Sequence, residues 1–253
     1  MKKQIVMVTG ATSGFGKAIA ERFAKEGWNV IINGRRMERL EELAKQLEEA
    51  HGVAITSLCF DVRDNDAVCK AVASLSPDWQ NIDVLVNNAG LALGKDPIHK
   101  GDLAQWNQMI DTNIKGLLYV TKAVTPFMVQ RKQGIVINIG SIAGREVYSG
   151  GNVYSATKFA VDALTKSMRI DLLPHGVRVS QIAPGAAETE FSLVRFSGDE
   201  KKAKAVYQGY TPLHAEDIAE AAWFIASRPP HVCIQDMLIL PTAQANATTF
   251  HKA

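Results

Sequence analysis

The chain of 253 residues carries 28 Lys and Arg against 26 Asp and Glu, a formal net charge of +2, and is 47% hydrophobic. Charges so balanced and so evenly spread exclude the one-sided basic footprint of a nucleic-acid binder, and the length suffices to bury one sizeable core. Three separated cysteines (Cys59, Cys69, Cys233) without a CxxC pair argue against a disulfide framework and for a cytoplasmic compartment, and six scattered histidines give no metal-ligating helix face, so no metal is expected.

Residues 4–8, after Met1-Lys2-Lys3, form an apolar run too short for a signal segment or a membrane span, and read as a buried strand. Thr9-Gly10-Ala11-Thr12-Ser13-Gly14-Phe15-Gly16 then leads into a helical pattern over 16–26, stopped by Gly27. Glycines at a strand-to-helix turn let the backbone approach a pyrophosphate seated on the helix's positive end. A second strand, 29–33, ends in Asn33-Gly34-Arg35-Arg36. An acidic residue expected near here for an NAD ribose is replaced by Gly34 and two guanidinium groups, which suit the 2′-phosphate of NADP.

Further on, a helical pattern spans 37–49 and strands are predicted over 54–60 and 84–86, the latter followed by Asn87-Asn88-Ala89-Gly90. One long helical pattern covers 104–129 and includes Asn113, an indifferent helix former whose polar role competes with simple exposure. The strand 135–139 leads to Ser141, placed where a hydroxyl can share charge on a reacting oxygen. In the helix 153–173, Tyr154 and Lys158 are four residues apart and share a face, so an ammonium beside the phenol is expected to lower its pKa and make it a general acid and base. His175-Gly176 ends this helix before a strand at 178–182; a helix over 215–226 and a strand over 237–240 complete the chain.

Alternating strands and helices without a linker or repeat predict a single domain, 1–253. Its fold class is α/β, a doubly wound Rossmann-like seven-stranded parallel sheet with helices on both faces. The polar stretch 186–210 interrupts this regularity and reads as a partly helical substrate lid.

In order, TGxxxGxG at Thr9–Gly16, NNAG at Asn87–Gly90, Ser141, YxxxK at Tyr154–Lys158 and Pro184-Gly185 followed by Thr189 resemble the short-chain dehydrogenase/reductase superfamily over nearly the whole chain. That resemblance implies an NADP(H)-dependent oxidoreductase acting on a small-molecule substrate, with Asn113, Ser141, Tyr154 and Lys158 as a catalytic tetrad. Asn113 would hold a water in the proton relay and Lys158 would also bind the nicotinamide ribose. Cofactor contacts would come from Gly10, Thr12, Ser13, Gly14, Phe15, Gly16, Arg35, Arg36, Asp61, Val62, Asn87, Ala89, Gly90, Tyr154, Lys158, Pro184, Gly185 and Thr189. A homotetramer would be the assembly, with helices 104–129 and 153–173 forming one interface.

Within the superfamily, Asn87–Gly94, Met109–Asn113, Gly150–Tyr154 and Glu188–Phe196 with Gly198-Asp199 are similar to NADP-dependent 3-hydroxy acid dehydrogenases, which act on serine, L-allo-threonine, 3-hydroxypropionate and similar short acids. A short anionic substrate needs a cation. Arg195 is the nearest candidate, competing with an ion pair to Glu190 or Asp199; Tyr148 is a second contact, and Arg145 a further candidate in a loop that departs from the subfamily, as do two alanines after Pro184-Gly185. A reductase of 3-ketoacyl thioesters or bulkier ketones, and a non-catalytic dinucleotide sensor, are the alternatives.

Overall fold

Strands that are apolar at every position must lie between two layers. The computed structural model describes residues 3–196 and 198–253, and the side chains of all of these but 203 and 204. Its strands β1 (Ile5–Val8), β2 (Asn29–Gly34), β3 (Ile55–Cys59), β4 (Val84–Asn87), β5 (Gly134–Ile139), β6 (Val177–Pro184) and β7 (Asp236–Ile239) pair in parallel in the order β3-β2-β1-β4-β5-β6-β7. Successive side chains face opposite sides. Val6, Val8, Val30 and Ile32 pack under α1 (Gly14–Lys25), α2 (Met37–His51) and α9 (Ala215–Ala226). Met7, Ile31, Leu85 and Val136 pack under α3 (Asn65–Ala73), α5 (Leu117–Arg131) and α6 (Asn152–Leu172). On the first face Phe23, Trp28 and Trp223 meet edge to face, with centroids 5.2–5.9 Å apart, and join α1 to α9.

Two helical segments differ from expectation. The helix α3 was not predicted: it is short and buries Val68 and Val72, too few apolar positions to show a period, although Asp64 caps it by accepting from the amides of Asp66 and Ala67. The pattern over 104–129 is not one α-helix but α4 (Leu103–Ile110), a π-helical turn Asp111–Gly116, and α5. The turn drives Asn113 inward to 2% exposure, and at its end Gly116 permits close approach, since a Cβ there would lie 2.7 Å from Val62 Cγ2.

The long helix α6 is fastened to the sheet along its length. Asn113 donates to Thr157 Oγ1 (3.0 Å), Lys158 Nζ to the Ile139 carbonyl (2.9 Å), Gln181 to Asp162 (3.3 Å), Asn138 to Thr165 (2.9 Å) and Arg169 Nε to the Val179 carbonyl (2.9 Å). Asn138 also accepts from Asn87, so the polar chain continues beneath β4.

Between β6 and α9 the chain leaves the sheet. Residues 186–210 hold α7 (Glu190–Arg195) and α8 (Glu200–Ala205), with the base of the excursion closed by an Ala187–Leu213 bridge. Ser197, within the stretch expected to be a lid, lies outside the described residues, as do Met1 and Lys2. No helix among the described residues is long and apolar enough to cross a membrane.

Candidate active site

The strand order reverses between β1 and β4, so the crevice of a doubly wound sheet opens above their carboxyl ends. A cleft of about 300 Å³ lies there, floored by Gly10, Thr12–Phe15 and Asn88–Gly90 and walled by Arg35, Arg36, Asp61 and Val62. Thr9 and Asn88 build the floor: Thr9 Oγ1 accepts from the Asn88 and Ala89 amides at 3.0 Å, and the Asn88 side chain donates to the Thr9 carbonyl at 2.9 Å. Asn87 does not reach this cleft. Its amide is buried and donates to Thr121 and Asn138 (both 2.9 Å), because side chains alternate along β4 and Asn88, not Asn87, faces the opening.

The floor is bare backbone. A Cβ on Gly34 would lie 2.5 Å from Thr12 Cγ2, one on Gly10 (φ 66°) 3.0 Å from Ala89 Cα, and one on Gly16 would overlap the Gly10 carbonyl. Ser13 starts α1 without a side-chain cap, leaving amides directed at the cleft. Arg36 Nη2 donates to Thr12 (2.8 Å), and Arg35 stands 3.7 Å from Asp61, whose carboxylate is already held bidentately by Arg63. Burial alone would raise the Asp61 carboxyl, but the hydrogen bonds and charge of Arg63 hold it below the usual range. Glycines where a pyrophosphate must approach and guanidinium groups where a 2′-phosphate must sit fit an NADP dinucleotide.

A second hollow of about 260 Å³ adjoins the first, and Tyr154, Gly140, Thr189 and Phe191 line both. Lys158 faces only the cleft side; Ser141, Tyr148, Pro184, Gly185 and Arg195 face only the hollow. Tyr154 is thus at the junction. Ser141 follows β5 in extended backbone, and its hydroxyl accepts from the Ala143 amide at 3.1 Å. Lys158 Nζ lies 5.9 Å from the Tyr154 ring centre. Asn113 closes the group from below: Nδ2 donates to the Leu91 carbonyl (2.8 Å) and to Thr157, while Oδ1 accepts from the Leu91 amide (2.9 Å). Both its amide protons are committed to fastening this loop to α6, and the simple-exposure alternative does not hold.

Burial pushes the Tyr154 phenol above its ordinary 10.0, Tyr148 adds to the rise, and the Ser141 hydroxyl and the Arg195 guanidinium counter it. Burial also lowers Lys158 from 10.5 to about 8. Near pH 7 Lys158 thus keeps its proton, and its ammonium, 5.9 Å from the Tyr154 ring centre, acts beside Ser141 and Arg195.

Arg195 reaches the hollow from α7. Its guanidinium carbon stands 5.4 Å from the Tyr148 ring centre and 5.8 Å from that of Tyr154. Nε donates to the Gly94 carbonyl at 3.3 Å, whereas Nη2 is buried without a partner. The competing ion pairs are not formed: Glu190 stands 3.2 Å from Arg39 and 4.0 Å from Arg36, and Asp199 is 3.3 Å from Lys202. Arg145 does not supply a second anion contact. It pairs with Asp236 and Asp162, on the flank of α6. Phe191 and Tyr207 belong to the stretch read as a lid, but sequence reading did not single out Lys95 and Phe250, which line the hollow, or Arg39, which reaches Glu190 on the cleft wall. Only contacts far apart in the chain bring Lys95, Phe250 and Arg39 there, and nothing local marks those three.

A family model described as short chain dehydrogenase matches residues 4–199. The chain is 50% identical over 244 residues to the NADP-dependent 3-hydroxy acid dehydrogenase YdfG of Escherichia coli K12, covering 96% of this chain and 97% of that one. It is 48% identical over 242 residues to sulfoacetaldehyde reductase 2 of Chromohalobacter salexigens, covering 95% of each. Among solved structures, the closed form of a serine dehydrogenase complexed with NADP+ superposes with a TM-score of 0.92 at 48% identity, over 99% of this chain and 100% of that one. With the family model matched over residues 4–199 and relatives 48–50% identical over nearly its full length, the chain belongs to the short-chain dehydrogenase family.

Proposed function

We propose that the protein is an NADP(H)-dependent oxidoreductase that interconverts a short 3-hydroxy acid, or a related small anionic alcohol, and its carbonyl form. The observation that carries the anionic substrate is Arg195: a guanidinium nitrogen, Nη2, buried without a partner in the wall of the hollow that Ser141 and Tyr154 share. A buried charged donor left unpaired is costly, and a carboxylate or sulfonate satisfies it. Three of the relatives named for their substrates, a 3-hydroxy acid dehydrogenase, a serine 3-dehydrogenase and a sulfoacetaldehyde reductase, support the same class.

The cofactor supplies hydride to the carbonyl carbon or accepts it from the alcohol carbon. Tyr154 gives its phenolic proton to the carbonyl oxygen in reduction and takes the hydroxyl proton in oxidation. Ser141 holds that oxygen and shares its charge. Lys158, on the cleft side, would hold the ribose, Thr189 would meet the carboxamide, and Arg35 and Arg36 would hold the 2′-phosphate. Tyr148 joins Arg195 on the substrate's anion, and residues 186–210 act as the lid over both. Aromatic walls at Phe196, Tyr207 and Phe250 favour short substrates over acyl thioesters. Exposed Leu118, Phe159, Ile170 and Leu173 on and beside α5 and α6 support the homotetramer, and three free cysteines fit a cytoplasmic setting.

The test is initial rates with NADP+ and with NAD+ on L-serine, L-allo-threonine, 3-hydroxypropionate, a hydroxysulfonate and a neutral secondary alcohol. Turnover of the acids with NADP+ is expected. Turnover of the neutral alcohol with silence on every acid would leave the dehydrogenase and discard the anionic substrate.

A further inference from the structure

The reading above gives Arg195 the task of binding an anion, but its position does more than that task requires. An anion reader needs only its free donors in the pocket. Arg195 also lies between two phenol rings, its guanidinium carbon 5.4 Å from the centre of Tyr148 and 5.8 Å from that of Tyr154. It is held there firmly. Nε is bonded to the Gly94 carbonyl, the Arg195 carbonyl accepts from the Gly94 amide at 3.2 Å, and α7 is braced by a Ser192–Tyr207 hydroxyl contact of 2.5 Å, with Tyr207 donating to the Ala187 carbonyl at 2.6 Å.

We propose that Arg195 couples recognition of the substrate's anion to proton transfer at Tyr154, its guanidinium facing the catalytic ring while its Nη2 is left for the anion. The proposal rests on the anionic-substrate reading of the same hollow. Among the described residues the polar and charged groups around Tyr154 are Lys158 from its own helix, Ser141 and Tyr148 from the loop after β5, and Arg195 from α7; Lys95, in the loop after β4, lines the same hollow but is exposed to solvent, which screens its charge. Of these, Lys158 is committed to the Ile139 carbonyl on the cofactor side. Arg195 is the cation whose free charge changes when substrate binds.

Its effect on the phenol has a definite sign. A cation favours phenolate, and Arg195 is among the influences that oppose the upward push of burial on Tyr154. When an anion pairs with Nη2, that field is offset and the phenol holds its proton more tightly. For reduction this readies the acid: the proton stays on Tyr154 until the carbonyl oxygen takes it, forming the alcohol and leaving phenolate. For oxidation it makes the base harder to form once an acid is bound, whereas a neutral alcohol leaves the field intact. Substrates of equal size but different charge thus meet a Tyr154 of different acidity.

The test is the pH dependence of oxidation by the NADP+-loaded enzyme with 3-hydroxypropionate and with a neutral secondary alcohol, in the wild type, Arg195→Gln and Arg195→Lys. In the wild type the acidic limb of kcat should lie above that of kcat/KM for the acid, by about one pH unit, and the two limbs should coincide for the neutral alcohol. In Arg195→Gln the kcat/KM limb should rise by about one unit for both substrates, the split for the acid should vanish, and KM for the acid should rise about tenfold or more. Arg195→Lys should return the limb toward the wild-type position, because it restores the charge. Calorimetric binding of propionate to the wild type and Arg195→Gln reads the anion site without turnover.

A KM rise and weakened propionate binding with unmoved limbs would overturn the coupling and leave Arg195 as an anion reader. Unchanged KM and unchanged propionate binding would overturn the anionic-substrate reading, and the coupling with it.

Discussion

Replacing Lys158 by methionine asks what the fold sacrifices to keep an ammonium inside. Burial lowers Lys158 from 10.5 to about 8, and at about 1.36 kcal/mol per pH unit the charged form carries a penalty of about 3 kcal/mol at neutral pH. Methionine keeps the aliphatic stem and removes the charge. It also leaves the Ile139 carbonyl, 2.9 Å from Nζ, without that donor, at a cost of about 1–3 kcal/mol. Near pH 7 the variant should therefore equal the wild type or exceed it by up to about 2 kcal/mol, while losing turnover. The pH dependence is sharper. The folded pKa lies below the unfolded one, so between about pH 8 and 10.5 the unfolded chain binds more protons, and the wild type gains stability as pH rises through that window. Lys158→Met lacks this gain, so its standing relative to the wild type should fall by about 2–3 kcal/mol between pH 7 and pH 10. Urea unfolding of both proteins across that range measures the difference, in which all other titrating groups cancel. A difference that stays flat with pH would refute the buried, desolvated ammonium.

Arg35→Ala with Arg36→Ala should weaken NADPH binding about 10–100-fold, the worth of one or two charge-assisted contacts, and NADH by no more than about twofold. Fluorescence titration of both cofactors reads this, and equal losses would remove the 2′-phosphate role. Asn113→Ala should lower unfolding free energy by about 2–4 kcal/mol, because the buried Leu91 amide and carbonyl lose their partners together. Activity lost at unchanged stability would instead make Asn113 a chemical rather than an architectural residue.

The strands and the glycine turn were legible because each is dictated locally. A strand buried on both faces must be apolar throughout, as β1 is, and a turn against a phosphate must dispense with Cβ, as Gly10 does. Tyr154 and Lys158 were legible because helical spacing alone puts them on one side. What escaped reading depends on partners distant in the chain. The π-helical turn around Asn113 answers to Leu91 and Thr157, 22 and 44 residues away. Glu190 looked like a partner for Arg195, five positions along its own helix, but it faces Arg39, 151 residues away. Asn87 and Asn88 look interchangeable in sequence; the pleat alone sends one into the interior and the other to the cleft.

The hydrogen bonds along α6 have a mechanical consequence. Thr157, Lys158, Asp162, Thr165 and Arg169 engage β5, β6 and the π-helical turn at nearly every turn of the helix. A slide of about 5.4 Å, one helical turn, would disengage all of these teeth at once and strand their polar partners in an apolar layer. A rack with so many teeth engaged has one stop. Tyr154 and Lys158 therefore ride on a part of the molecule that does not adjust, and any retuning of what the enzyme accepts is left to the segments without such teeth, the loop after β5 and the 186–210 excursion.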